Sequence, residues 1–259
     1  MNNPIYKIEI KAIFCNIELW LNDILIFCHY EENGSLWVDW PINHFLLQTG
    51  VQNFEVRLYP YNGETFFSER TELEVGVHCT DNSDDENRVE VLDLKSVDLK
   101  SPEELPIFIY RKSFVSNIPF KLEGWSESLD LSKENEEELI AELFNWKKVI
   151  LNVLVTSNLE KYNAIFKTKE SEFDQANYTN YIENDHNVFH SKFKLLVDIP
   201  DESYHIEFYA DNRIVSLKLP EKLPGFTFEP KEINEESLGL SQIVYFHRRK
   251  KGAKLEIIR

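Results

Sequence analysis

Histidines and carboxylates at helical spacing are the first residues in this chain whose types could do chemistry. Glu183, His186 and His190 lie three and four residues apart, which on a helix would gather two imidazoles and a carboxylate on one face, a set suited to zinc. The intervening Asn184, Asp185 and Asn187 favour turns over helix. The glutamate that directly follows the first histidine of a metalloprotease helix is also missing. The segment therefore reads as a polar connection, and neither a metal nor a cofactor is expected.

Other catalytic patterns are equally thin. There is no G-x-S-x-G elbow for a nucleophilic serine and no glycine-rich phosphate loop, in a chain with only 8 glycines. Cys15, Cys28 and Cys79 sit in apolar, strand-like contexts, where burial raises a thiol pKa and makes it inert. Their odd number and scatter argue against a disulfide framework. Histidines such as His29, His44, His78 and His205 have no nucleophile near them in sequence, and with 45 acidic residues no carboxylate pair stands out. The expectation is a protein that is not an enzyme.

Residue types suited to binding are more evident. Trp37, Trp40, Tyr59 and Tyr61 fall near strand ends, and a period of two puts Trp37 and Trp40 on opposite faces, so that one is available as a ligand platform. The basic run His247, Arg248, Arg249, Lys250, Lys251 and Lys254 surrounds Gly252 and reads as a hairpin turn. Across the whole chain acidic residues outnumber basic ones 45 to 28, for a net charge of -17. That balance disfavours nucleic acid and favours a basic partner. Its densest clusters are Asp81, Asp84, Asp85 and Glu86, and Glu134, Glu136, Glu137 and Glu138, the residues expected to touch such a partner.

The elements that must position these residues can be read from periodicity. Tyr6, Ile8, Ile10, Ala12 and Phe14 alternate, then the phase shifts to Cys15, Ile17, Leu19 and Leu21, as at a bulge. Asn22-Asp23 predicts a tight turn into Ile24 to Tyr30, and Asn33-Gly34 a second hairpin into Ser35 to Trp40, giving an antiparallel meander. Further strands are predicted at 53–59, 66–67, 73–79, 89–94, 107–110 and 114–122, with a solvated acidic loop somewhere in 80–104. Residues 1–125 are thus expected to form an antiparallel β-sandwich, specifically an immunoglobulin-like one.

Past Gly124 the pattern changes. Asp130 or Ser132 can cap a helix carrying Leu139, Leu143, Trp146, Ile150 and Val153 on one stripe. Two further helices are predicted over 159–166 and 170–181, then strands at 193–198, 205–209, 214–219, 225–228, 242–247 and 254–258. Residues 126–259 are therefore expected to be an α+β domain of helices packed on a curved antiparallel sheet, making the chain α+β overall.

No signal-peptide pattern follows Met1 and no apolar run reaches the ~18 residues a membrane span needs, so a cytoplasmic location without membrane insertion is expected. The leading functional expectation is a noncatalytic immunity or inhibitor protein that neutralises a basic toxin or effector. The alternative is a ligand-binding module, holding a carbohydrate on exposed aromatics or a small apolar ligand in the α+β domain.

Overall fold

A computed structural model describes residues 2–30, 35–61, 63–82, 84–179, 191–232 and 239–259. They gather into two compact units, Met1–Leu122 with Gln175–Thr179, and Glu123–Asp174 with Asn180–Arg259. The chain is mixed α and β, with antiparallel sheets predominating and two α-helices among the described residues. No helix of the described residues is long and apolar enough to cross a membrane.

The first unit contains β1 (Pro4–Ile13), β2 (Cys15–Leu21), β3 (Ile24–His29), β4 (Ser35–Pro41), β5 (Gly50–Pro60), β6 (Glu72–Asp81), β7 (Asp84–Ser96) and β8 (Phe108–Ser116). They form two four-stranded sheets, ordered β4-β1-β6-β7 and β3-β2-β5-β8. The phase change at Phe14 is the point where the chain leaves one sheet for the other. Phe14 takes a left-handed φ of 55°, after which Cys15, Ile17, Leu19 and Leu21 bury as Ile8, Ile10 and Ala12 do before it. The expected bulge there is thus a sheet crossing, and a true register shift lies between Leu19 and Trp20 where β2 meets β3.

Asn22 and Asp23 make the expected tight turn, at φ values of 49° and 64°, the two left-handed residues that match the twist of a hairpin. The Asn33-Gly34 turn lies outside the described residues. The strands flanking it are not hairpin partners: β3 pairs with β2, and β4 pairs with β1. Within 80–104, β7 takes up 84–96 on an edge of its sheet, where one side of it can stay solvated, and the loop expected in this segment falls at 97–101, before a 3-10 turn at Pro102–Glu104. Phe66 and Phe67 are not in a strand, and the two strands expected over 107–122 are the single β8.

The second unit is built on α1 (Glu136–Thr156) and most of α2 (Leu159–Asn177). Asn135, rather than Asp130 or Ser132, caps α1, its Oδ1 accepting from the Glu138 N–H at 3.0 Å. Asp130 instead caps the short 3-10 turn Leu131–Lys133. The two helices expected after α1 are one, since nothing between 166 and 170 breaks α2. Its strands are β9 (Leu196–Asp198), β10 (His205–Tyr209), β11 (Ile214–Lys218), β12 (Gly225–Pro230), β13 (Leu240–Ile243), β14 (Phe246–His247) and β15 (Glu256–Ile257).

These strands make two sheets, β10-β11-β14-β15 and β13-β12-β9, in place of the single curved sheet expected. The split falls inside the predicted 242–247 strand, because β13 pairs with β12 whereas β14 pairs with β11. Gly225 permits the close approach of β12 to β13: at φ 138°, an added Cβ would stand 2.1 Å from the Gln242 carbonyl oxygen. The core gathers Leu139, Leu143, Ile150, Val153 and Phe166 against Phe226, Phe228 and Phe246.

One core position breaks the apolar pattern. Lys147 on α1 is fully buried, its Nζ donating to the Ile199 carbonyl at 2.6 Å and meeting Asp198 at 2.7 Å and Asp201 at 2.9 Å. Burial opposes its charge, but the two aspartates outweigh that and hold its pKa above the ordinary lysine value.

Candidate functional site

Strand register in the first unit builds two polar clusters, one on each sheet. Across β2, β5 and β8, Trp20 lies opposite Glu55 and Glu55 opposite Arg111, so an aromatic ring, a carboxylate and a guanidinium form one row. In the neighbouring row Glu18 lies opposite Arg57. Their side chains leave the sheet on the face opposite to Leu19, Val56 and Leu58, which are fully buried.

Glu55 engages both guanidinium groups, one carboxylate oxygen to Arg57 Nε and the other to Arg111 Nε. Arg57 also stacks over the Trp20 ring at 4.0 Å. Burial would lower the Arg57 pKa, yet the Glu55 contact outweighs it and raises it. Beside the row, Glu18 is 4% exposed and accepts from Trp20 Nε1 at 3.1 Å, Tyr30 Oη at 3.1 Å and Tyr59 Oη at 3.0 Å. Burial, with Glu18 beside it, pushes the Tyr59 phenol up to about 12 and raises Tyr30 further, so both stay protonated donors.

A cavity of about 600 Å³ opens over this row. Its charged lining residues are Arg57, Arg111 and Lys112 against Asp23 and Glu55, three cations to two carboxylates and so a net charge of +1. Trp20 supplies an aromatic wall and Asn53 and Ser113 neutral polar groups.

On the other sheet, β4, β1 and β6 place Asp39 opposite Glu9 and Glu9 opposite Gly76, with His78 two residues further along β6. Carboxylate oxygens of Glu9 and Asp39 and a ring nitrogen of His78 lie within 4.8 Å of one another. Glu9 accepts from Trp37 Nε1 at 3.0 Å and Arg88 Nη2 at 2.5 Å. Burial would raise the Glu9 carboxyl, but those donors outweigh it and hold it below the ordinary range. Burial, helped by Arg88, pushes His78 down.

Asp81 is half-buried, its Oδ2 accepting from the Asn2 N–H at 2.8 Å. Asp84, Asp85 and Glu86 begin β7, and their side chains lie outside the described residues. Glu134 is ion-paired with Arg248 at 3.1 Å, while Glu136, Glu137 and Glu138 are exposed in the first turn of α1. Glu183, His186 and His190 lie outside the described residues.

The basic run does turn between β14 and β15, but Arg248 is buried against Glu134 and Glu142, and Arg249 pairs with Glu123. Trp37 and Trp40 take opposite faces as expected; Trp37 is 71% exposed, and Trp40 packs on Phe27 at 4.6 Å. Tyr59 is engaged by Glu18. Cys15, Cys28 and Cys79 form no disulfide, and burial raises Cys15 to about 12 and Cys79 to about 11.

Both clusters escaped sequence reasoning. Trp20 and Arg111 are 91 positions apart, Glu9 and His78 69 apart, and neither distance corresponds to any local periodicity. The one usable signal was polar residues alternating with buried ones on β2 and β5, which marks an outward face without saying what shares it. Comparison of the chain with protein-family models, with curated proteins and with solved structures finds no match.

Proposed function

We propose that this chain is a noncatalytic binding protein whose first unit holds a small anionic ligand in the cavity over Trp20, Glu55 and Arg111. The observation that carries this reading is the use of one carboxylate to brace two guanidinium groups. A guanidinium has five N–H donors, so Glu55 fixes Arg57 and Arg111 without exhausting them. In a chain of charge -17 these two guanidinium groups are placed side by side, and their remaining N–H donors are what an anion in the cavity would meet. About 600 Å³ lies within the ~300–1,000 Å³ typical of small-molecule clefts.

Trp20 beside that charge suits a sugar or another ring bearing a carboxylate, sulfate or phosphate. The lining includes no histidine or cysteine that could act as base or nucleophile, which favours binding over turnover. As the scaffold, we propose that the two sheets stack as a sandwich, in keeping with the Tyr6–Phe114 and Phe27–Trp40 ring contacts between them. Because β1 and β2 lie in different sheets, the immunoglobulin arrangement, which keeps its first two strands together, is not carried forward.

Thermal-shift measurements on the full chain test the reading with D-glucuronate, sulfated and phosphorylated monosaccharides, and neutral sugars. A ligand that prefers the native state raises the melting temperature in proportion to ln(1 + [L]/Kd). The anionic sugars should stabilise the protein and lose that effect in Arg111→Ala, an exposed position. Stabilisation by neutral sugars alone, or an anion effect unchanged in Arg111→Ala, would overturn it.

The exposed Glu136, Glu137 and Glu138 favour a second reading, a cytoplasmic immunity or inhibitor protein docking on a basic toxin or effector. Reversing the three to lysine should slow association with such a partner; retained association would remove this reading.

A further inference from the structure

We propose that Glu9, Asp39 and His78, on the sheet that does not carry the Trp20 cavity, form a binding site for one divalent transition-metal ion of the zinc type. The donor set is an imidazole nitrogen and two carboxylates whose ligand atoms lie within 4.8 Å of one another, close enough for a single ion to reach all three with small side-chain rotations. Register places them: Asp39 and Glu9 are cross-strand neighbours on β4 and β1, and β6 delivers His78 to the same face. Gly76, opposite Glu9, contributes no side chain to crowd them.

A second observation points to a ligand. His78 is 2% exposed, and its Nδ1 is buried without a hydrogen-bond partner. The nearest carboxylate oxygen, Asp39 Oδ1, is 3.9 Å away, beyond hydrogen-bond reach. A buried ring nitrogen left unsatisfied is unfavourable, because it has given up its hydration without gaining a partner. If Nδ1 carries the lone pair, it confronts two carboxylates, an arrangement that calls for a cation between them. Asp39 is the solvent-facing member, its side chain 45% exposed, and gives an ion a way in and water a way to fill the remaining coordination positions.

Arg88 now supplies part of that cation. Its Nη2 meets Glu9 at 2.5 Å while its Nε pairs with Glu90, so it can release Glu9 and stay anchored. Metal and guanidinium therefore compete for one carboxylate, and Arg88→Met should tighten metal binding.

Isothermal titration of Zn²⁺ into chelator-treated full chain is the test, with Co²⁺ absorption as a readout that does not depend on variants. One equivalent of Zn²⁺ should bind and displace Co²⁺ from a coloured complex. Glu9→Gln and Asp39→Asn should each weaken it more than about tenfold, since even outer-sphere changes at metal sites cost 10- to 100-fold. Asp39 is exposed enough that its variant should fold, whatever His78→Gln does. His186→Ala, His190→Ala is the control for the distant histidines. No stoichiometric binding to the wild-type chain, unchanged affinity in Asp39→Asn, or loss only in the histidine double variant would each overturn the proposal.

Discussion

Replacing Lys147 with methionine keeps most of the buried aliphatic stem and removes only the ammonium. Three hydrogen-bonded or ion-pair contacts are lost, to Ile199 O at 2.6 Å, Asp198 at 2.7 Å and Asp201 at 2.9 Å. Hydrogen bonds to charged groups contribute about 1.5–3 kcal/mol each, and stripping one partner from a fully buried ion pair costs about 3–5 kcal/mol. Here the Asp198 and Asp201 side chains are 31% and 45% exposed, so both recover water once the ammonium has gone. The Ile199 carbonyl and the cation contact to the Tyr204 ring at 4.4 Å remain as uncompensated losses. The net cost should be about 2–3 kcal/mol. Urea unfolding followed by circular dichroism at 222 nm is the assay, because all of α1 and most of α2 belong to this unit. Asp198→Asn should cost less in the Lys147→Met background than alone, the signature of coupled partners. A Lys147→Met penalty under about 0.5 kcal/mol would mean that the ammonium is already hydrated and that the buried-charge reasoning is wrong.

Asn135→Ala removes the side-chain cap of α1 and should cost about 1 kcal/mol in the same experiment, whereas Asp130→Ala should leave α1 intact. Gly225→Ala forces a Cβ to 2.1 Å from the Gln242 carbonyl in a backbone conformation foreign to alanine, so loss of more than about 3 kcal/mol, or failure to fold, is expected on thermal denaturation. With Cys15 pushed up to about 12, its thiolate is scarce at pH 8. Iodoacetamide should therefore spare it in the native protein and label it in urea, as read by peptide mass mapping.

Local chemistry was legible in the sequence where it was self-contained. Asn22-Asp23 tolerates left-handed backbone at both positions, and the α1 stripe from Leu139 to Val153 needs no distant partner to be recognised. What depends on partners was not legible. The phase change at Phe14 is visible, but only pairing tells a bulge from a crossing between sheets. Nothing near Lys147 in sequence shows that it is buried, because its partners Asp198 and Asp201 arrive from some 50 residues on. The same holds for the Trp20–Glu55–Arg111 row, which exists only because β5 pairs with both β2 and β8. Counting charges marked Glu134 and Arg248 as surface groups, although the fold uses them on each other.

The Trp20 indole offers the most direct test of the binding site, because Trp20 lines the cavity, its Nε1–H is held by Glu18, and the chain has only 5 tryptophans. Indole N–H resonances of ¹⁵N-labelled full chain, with Trp20 assigned by Trp20→Phe, would be followed while D-glucuronate and the sulfated and phosphorylated monosaccharides are titrated. The Trp20 signal should shift saturably with at least one of these anions, and Arg57→Ala and Arg111→Ala should each weaken that response. A Trp20 signal unmoved by every anion, or saturable shifts confined to Trp37, Trp40, Trp125 and Trp146, would contradict the site.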